Sequence, residues 1–217
     1  MQHLIVATRN AHKTREIQRI LGADFAVCDL SAHPGTPETA ETGKTFEENA
    51  VLKATVASRQ LPGLVVADDS GLEVDALGGA PGIYSARYAG QNATDKQNID
   101  KLLEELARIE TAKRSARFRC VIALAREGKL LGAFEGVVEG MISILRAARA
   151  ALVTIRFLFR KSSNKRSVNC PPKLRIESAT VDEQFASSPI GFRLLSRPIR
   201  AWAAVAGHRA AAEHPLL

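Results

Sequence analysis

The sequence has little cysteine and few aromatics. Three cysteines, Cys28, Cys120 and Cys170, are scattered over 217 residues. An odd, widely spaced set argues against a disulfide framework or a zinc site and suits a reducing cytoplasm. Aromatics are 5% of the chain, and Trp202 is its single tryptophan. No apolar run reaches the roughly 18 residues that a membrane span needs. The opening MQHLIVATRN lacks the basic start and long apolar core of a signal peptide. The expectation is a cytoplasmic protein with no membrane partner.

What is present is a globular composition with uneven charge. Hydrophobic residues make up 46%, which is ordinary for a folded domain. The length allows one large domain or two small ones. The net charge of +7 belongs to one end. Residues 141–217 hold 13 Lys and Arg against 4 Asp and Glu, a net +9, and residues 1–140 hold 17 against 19, a net −2. A basic tail can signal nucleic-acid or membrane contact. This one lacks interleaved aromatics and any recognisable binding motif, so no specific nucleic-acid partner is expected.

Along the chain, His3 to Thr8 reads as a short buried strand. Ile17, Ile20 and Leu21 mark a helix over Lys13 to Leu21. Residues 31–43 are a loop rich in Pro, Gly, Thr and Ala. Thr45-Phe46-Glu47-Glu48 fits a capping box and predicts a helix to about Arg59. Leu64 to Ala67 reads as a second buried strand, with a candidate third at Leu72 to Val74. Leu77 to Gly82 is a tight loop. Thr94 to Gln97 again fits a capping box and opens a helix with Ile99, Leu102, Leu103 and Leu106 on one face. Arg117 to Ala125 and Leu130 to Val138 read as paired strands. This alternation argues for an α/β domain with a mixed sheet. After Gly140 the order fails, and the tail is Arg, Ala, Ser and Pro-rich.

Three stretches could carry chemistry. In VADDSGLEV an apolar run meets two adjacent carboxylates, Asp68 and Asp69. A strand end turning into a loop could present both, and ligands of open α/β sheets bind at such ends. Carboxylate oxygens there suit Mg²⁺, which takes one or two protein carboxylates plus substrate phosphates. The bland alternative is a solvated turn with Asp68 or Ser70 satisfying local backbone donors. In ATRNAHK a strand–helix loop offers free backbone N–H groups, and Lys13 stands ready as a point charge for phosphate. The glycines of a Walker A loop are missing. In ETGKTFEENAVLKA, Glu41 is a further candidate metal carboxylate and Lys53 a further phosphate contact. Glu47 and Glu48 read as first-turn acids that favour the helix dipole. His3 and His12 have no ligand-spaced partners. Cys120 reads as a small core residue rather than a nucleophile.

Taken in order, these stretches closely resemble the inosine/xanthosine triphosphate pyrophosphatase family. The pieces are ATRNAHK at 7–13, ETGKTFEENAVLKA at 41–54, VADDSGLEVDALGGAPGIYSARYAG at 66–90 and ATDKQNIDKLLEEL at 93–106. ARFRCVIAL at 116–124 and GVVEG at 136–140 complete the set. The resemblance covers about residues 1–140. It implies an elongated mixed sheet in two lobes flanked by helices, with a central nucleotide cleft. It implies Mg²⁺-dependent cleavage of ITP, dITP or XTP between the α- and β-phosphates, to the monophosphate and pyrophosphate, by a homodimer. By motif match Asp69 is the general base and touches the metal. Glu41 and Asp68 help hold the metal. Thr8, Asn10, Lys13, Lys53 and Ser70 contact the triphosphate.

Residues 141–217 depart from that pattern. The family continues past GVVEG with FGYDP and, later, a lysine and SHR, which read the base, and neither FGYDP nor SHR is present here. Yet synonymous codons for Ala151-Leu152-Val153-Thr154-Ile155-Arg156, read two bases out of register, spell GFGYDP. The same register over Pro171 to Glu183 permits SHR. A frame shift near Gly140 is the resulting expectation, with a basic, poorly ordered tail after a family-like portion over 1–140. Two other readings stay open. One is a related pyrophosphatase acting on pyrimidine triphosphates. The other is an inactive remnant whose basic tail binds nonspecifically.

Overall fold

The computed structural model describes residues 2–147 and 150–157, with side chains through Ile142 apart from Ile20. Within these residues three helices and six strands alternate in the expected manner. The strands are β1 (Gln2–Val6), β2 (Phe25–Asp29), β3 (Leu64–Val74), β4 (Ser115–Arg126), β5 (Lys129–Ala147) and β6 (Ala150–Phe157). The helices are α1 (Ala11–Leu21), α2 (Phe46–Gln60) and α3 (Asp95–Leu106). Hydrogen bonding orders the strands β2-β1-β3-β4-β5-β6 in an open sheet. β1 runs parallel to β2 and to β3, with Leu4 opposite Val27 and Leu64. β5 and β6 are antiparallel, so the sheet is mixed. Among the described residues no helix is long and apolar enough to cross a membrane.

The chain divides into two compact units. Within the described residues the first holds 2–70 and 120–136, and the second holds 71–119 and 137–157. In the first unit, Ile5, Leu30, Ala57, Leu61 and Val65 form a core. Leu4, Ile5 and Val6 are buried, as are Leu64 to Ala67. Such unbroken apolar runs are what parallel strands covered on both faces require. In the second unit, Leu72, Val74, Leu102, Leu106, Ala116 and Ile142 form the core. On its sheet, Arg117 pairs with Asp75, Glu139 and Glu73, and Arg119 also meets Glu73.

Local chemistry explains where the helices begin. Thr94 caps α3 with a complete capping box, Gln97 returning the hydrogen bond. At α2 the box is half made. Thr45 Oγ1 accepts from Glu48 N, but the Glu48 carboxylate turns to Lys44 N. α1 begins at Ala11, two residues before the expected start, because Asn10 caps it.

Two expectations need correction. The buried strand does not stop at Ala67, and Leu72–Val74 is not a separate strand. β3 runs unbroken through both aspartates, since tertiary partners satisfy their charges within the sheet. The first-turn amides of α1 are not all free, because Asn10 Oδ1 accepts from His12 N and Lys13 N. Regular structure continues past Gly140, where β5 extends to Ala147 and pairs with β6. The remainder of the expected tail, residues 158–217, lies outside the described residues, as do Cys170, Trp202 and the out-of-register SHR.

Candidate active site

The site is assembled in the first unit from one strand and two helices. Successive strand residues point to opposite faces of a sheet. Asp68 and Asp69, adjacent in β3, therefore look opposite ways, and each meets its own lysine. Lys13, near the start of α1, places Nζ 2.8 Å from Asp68 Oδ2. Lys53, in the middle of α2, places Nζ 3.1 Å from Asp69 Oδ1. The same Nζ lies 3.1 Å from Glu41 Oε1, so one ammonium bridges two carboxylates. Both aspartates are buried, at 7% and 8% exposure. Burying carboxylates this deeply is tolerable only with such partners.

The two acids are driven apart. Burial alone would raise the Asp68 carboxyl, but the charges of Lys13 and Lys53 and the Lys13 hydrogen bond hold it below its ordinary value. Burial also acts on Asp69, where Lys53 opposes it and Glu41 reinforces it, and the carboxyl ends above its ordinary value. Burial would lower the Lys13 ammonium, yet the Asp68 charge and hydrogen bond carry it above. Neighbouring carboxyls with opposed shifts are a familiar division of labour between a fixed charge and a proton acceptor.

The other expected residues surround this centre unevenly. Thr8 Oγ1 accepts from Asn10 N, and Asn10 caps α1, so both already serve the loop that carries Lys13. Ser70 follows Asp69 in β3 and is half-buried. Glu41 is exposed in the loop before α2 and leans on Lys53. His12 is exposed beside Arg15. Cys120 is buried, and burial followed by the Asp68 charge pushes its thiol well up, which removes any nucleophilic role.

Glu41 and Asp69 already share one cation, the Lys53 ammonium, while Asp68 engages a different one. Among the described residues no group of three or more His, Cys, Asp or Glu is placed to hold an ion. As hard oxygen donors that already share one cation, Glu41 and Asp69 have the chemistry of Mg²⁺ ligands, and Mg²⁺ rarely has an all-protein cage.

Two residues escaped the sequence reading. Asn49 is fully buried in α2, donates to Asp69 Oδ2 at 3.1 Å and accepts from Gly43 N at 2.8 Å. Its signal was an asparagine inside a helix, one turn before Lys53. Arg9, between Thr8 and Asn10, donates to Leu30 O and Thr36 O and so ties the loop between β1 and α1 to the following segment. No local pattern announces that contact. A recess in the second unit, lined by Leu72, Tyr88 and Leu102 among others, is mainly apolar. Its Ser85 and Asn98 are hydrogen-bonded to backbone, so the recess offers less chemistry than the aspartate pair.

The pattern of the Ham1 family matches residues 4–150. A dITP/XTP pyrophosphatase of Shouchella clausii is 50% identical over 143 residues, covering 66% of this chain and 72% of that protein. Among solved structures, a Ham1 protein of Staphylococcus aureus aligns at 43% identity and a TM-score of 0.59, covering 65% of this chain and 72% of its own. A HAM1 protein of Coxiella burnetii aligns at 41% and 0.60, covering 66% and 74%.

Proposed function

The chain belongs to the Ham1 family, and from that premise we propose that it hydrolyses non-standard purine nucleoside triphosphates, ITP, dITP and XTP, to the monophosphate and pyrophosphate. The observation that carries the reading is the aspartate pair of β3, each member held by a lysine from a different helix. Two buried carboxylates matched by two ammoniums form a charge set that a triphosphate can enter by exchange. Phosphate oxygens take over Lys13 and Lys53 as partners, and Asp68 and Asp69 are released for other cations.

Asp69 is the general base. Its raised pKa and its place beside Lys53 suit a group that accepts a proton from water attacking the α-phosphorus. The attack breaks the bond to the bridging oxygen, and pyrophosphate leaves with that oxygen. Lys13 and Lys53 neutralise charge that builds on the phosphates. Thr8, Asn10 and Ser70 contact the triphosphate from the same loop and strand. Glu41 and Asp69, which meet at Lys53, would hold Mg²⁺, whose chemistry is to offset phosphate charge and orient the leaving group. Asp68, turned to Lys13, would help hold the metal through its charge rather than as a shared ligand. A homodimer in the cytoplasm completes the proposal. The family-like portion over 1–140 supplies this phosphate chemistry, and residues 141–217, lacking FGYDP and SHR, stand as the out-of-frame part.

The test incubates the full chain with ITP, dITP, XTP and UTP, with Mg²⁺ and with EDTA, and identifies products. Release of IMP and pyrophosphate from ITP, abolished by EDTA, is the expected result. Faster turnover of UTP would favour the pyrimidine alternative. Orthophosphate as first product would overturn both. Absence of turnover with steeply salt-dependent nucleic-acid binding would favour the inactive remnant.

A further inference from the structure

Asn49 and Lys53 stand one turn apart on α2 and so share a face. Lys53 Nζ donates to Asp69 Oδ1, and Asn49 Nδ2 donates to Asp69 Oδ2. Both side chains also hold the segment before α2. Lys53 reaches Glu41, and Asn49 Oδ1 accepts from Gly43 N. The Gly43 N–H can only donate, so it must take the amide oxygen of Asn49. That leaves the amide NH₂ facing Asp69, where a carboxylate oxygen accepts it. The approach at Gly43 is close. A Cβ there would lie 2.7 Å from Asn49 Oδ1 and 2.7 Å from Glu48 Cβ.

The two grips on Asp69 differ in kind. The Lys53 ammonium is a charge that an entering triphosphate competes for. The Asn49 amide is neutral, fully buried and occupied at both ends, so phosphate has no claim on it. We propose that Asn49 is a positioning residue, an amide bridge that fixes Asp69 Oδ2 against segment 41–43. The base then keeps its aim when Lys53 turns to phosphate. The proposal rests on the reading of Asp69 as general base. Without Asn49, Asp69 loses the donor that stays put, while segment 41–43, which carries Glu41, keeps only the Lys53 tie that phosphate competes for.

The test compares wild type with Asn49→Ala, Asn49→Asp and Gly43→Ala, by two readouts. The first is kinetics with ITP and Mg²⁺. Asn49→Ala lowers kcat roughly 10–100-fold, as for loss of an orienting partner, with KM held within about threefold. Asn49→Asp, near-isosteric, keeps the acceptor for Gly43 but loses the donor to Asp69, and lowers kcat likewise. Gly43→Ala acts in the same direction, and the Gly43→Ala/Asn49→Ala double variant is no worse than the worse single, since both break one bridge. The second readout is hydrogen exchange of the Gly43 backbone amide, which needs no turnover. It quickens by about tenfold or more in Asn49→Ala, stays protected in Asn49→Asp, and quickens in Asp69→Ala if the bridge transmits.

Asn49→Ala and Asn49→Asp retaining kcat within about twofold of an active wild type would overturn the proposal. So would Gly43 exchange that is unchanged in Asn49→Ala or in Asp69→Ala. A wild type that releases no pyrophosphate from ITP counts against the proposed function instead, and the exchange data then decide the bridge by themselves.

Discussion

Lys13 and Asp68 are separated by 55 positions in sequence and by 2.8 Å between charged atoms. Asp68 is almost fully enclosed at this contact, and Lys13 is mostly enclosed. The pair thus links the start of α1 to the middle of β3, and it is a structural joint.

Removing one side of that joint should cost stability. Lys13→Met leaves Asp68 buried with its nearest cation gone and lowers unfolding free energy by about 3 kcal/mol. The Lys13→Met/Asp68→Asn double variant recovers most of this, while pyrophosphate release stays abolished. Urea denaturation of the single and double variants measures the difference. A single variant as stable as wild type would show that the pair is not a joint.

Asp69 should behave in the opposite way. Burial outweighs its favourable partners, so its charge strains the fold rather than supporting it. Asp69→Asn keeps the melting temperature at or above that of wild type, yet lowers kcat by about 10²-fold or more, the loss expected for a general base. Thermal melts and ITP turnover, measured on one preparation, check both halves.

Asp29 gives a pH dependence away from the aspartate pair. Burial would raise its carboxyl, but hydrogen bonds from Thr14 Oγ1 and from Ser31, with the Arg9 charge, hold it below the ordinary value. A carboxyl with a lowered folded pKa adds stability above its unfolded value of about 3.9. That contribution disappears as pH falls through the folded value. Thr14→Val reduces the shift, so it is less stable than wild type at pH 7. The gap should narrow as pH drops from about 5 toward 3. A gap that is constant across that range would refute the linkage.

The β4–β5 connection offers a pair of opposed changes. Glu127 and Gly128 both have positive φ, 52° and 75°, as the favoured two-residue hairpin turn demands. Glu127→Asn suits that conformation and adds about 0.5 kcal/mol. Gly128→Ala is strained there and also meets Arg59 Cγ at 2.7 Å. It costs about 1 kcal/mol or more. Chemical denaturation should rank Glu127→Asn above wild type and Gly128→Ala below it.

How much of this was legible depended on the distance over which each feature is decided. The starts of α2 and α3 could be read because Thr45 and Thr94 cap their own helices within a few residues. The apolar runs of β1 and β3 showed their burial directly. The extent of β3 was misread, because two carboxylates in a row look like an exit to solvent. Lysines from distant helices keep them inside, and no local pattern shows that. Lys13, Lys53, Asp68 and Asp69 stood out as charged residues in recognisable motifs. Asn49 did not, since its role exists only once the loop at Gly43 folds back onto α2. Arg9 was hidden for the same reason, its acceptors lying 21 and 27 residues away.

The opposed aim of Asp68 and Asp69 carries a constraint on how this gene can change. The strand stores its chemistry as parity, with Asp68 facing Lys13 of α1 and Asp69 facing Lys53 of α2. Substitutions in β3 alter one side chain at a time. A one-residue insertion or deletion between Leu64 and Asp68 would shift the parity and trade the lysines of both aspartates at once. Length in this segment is therefore under tighter restraint than identity, and deletion scanning should find it the least forgiving strand of the first unit.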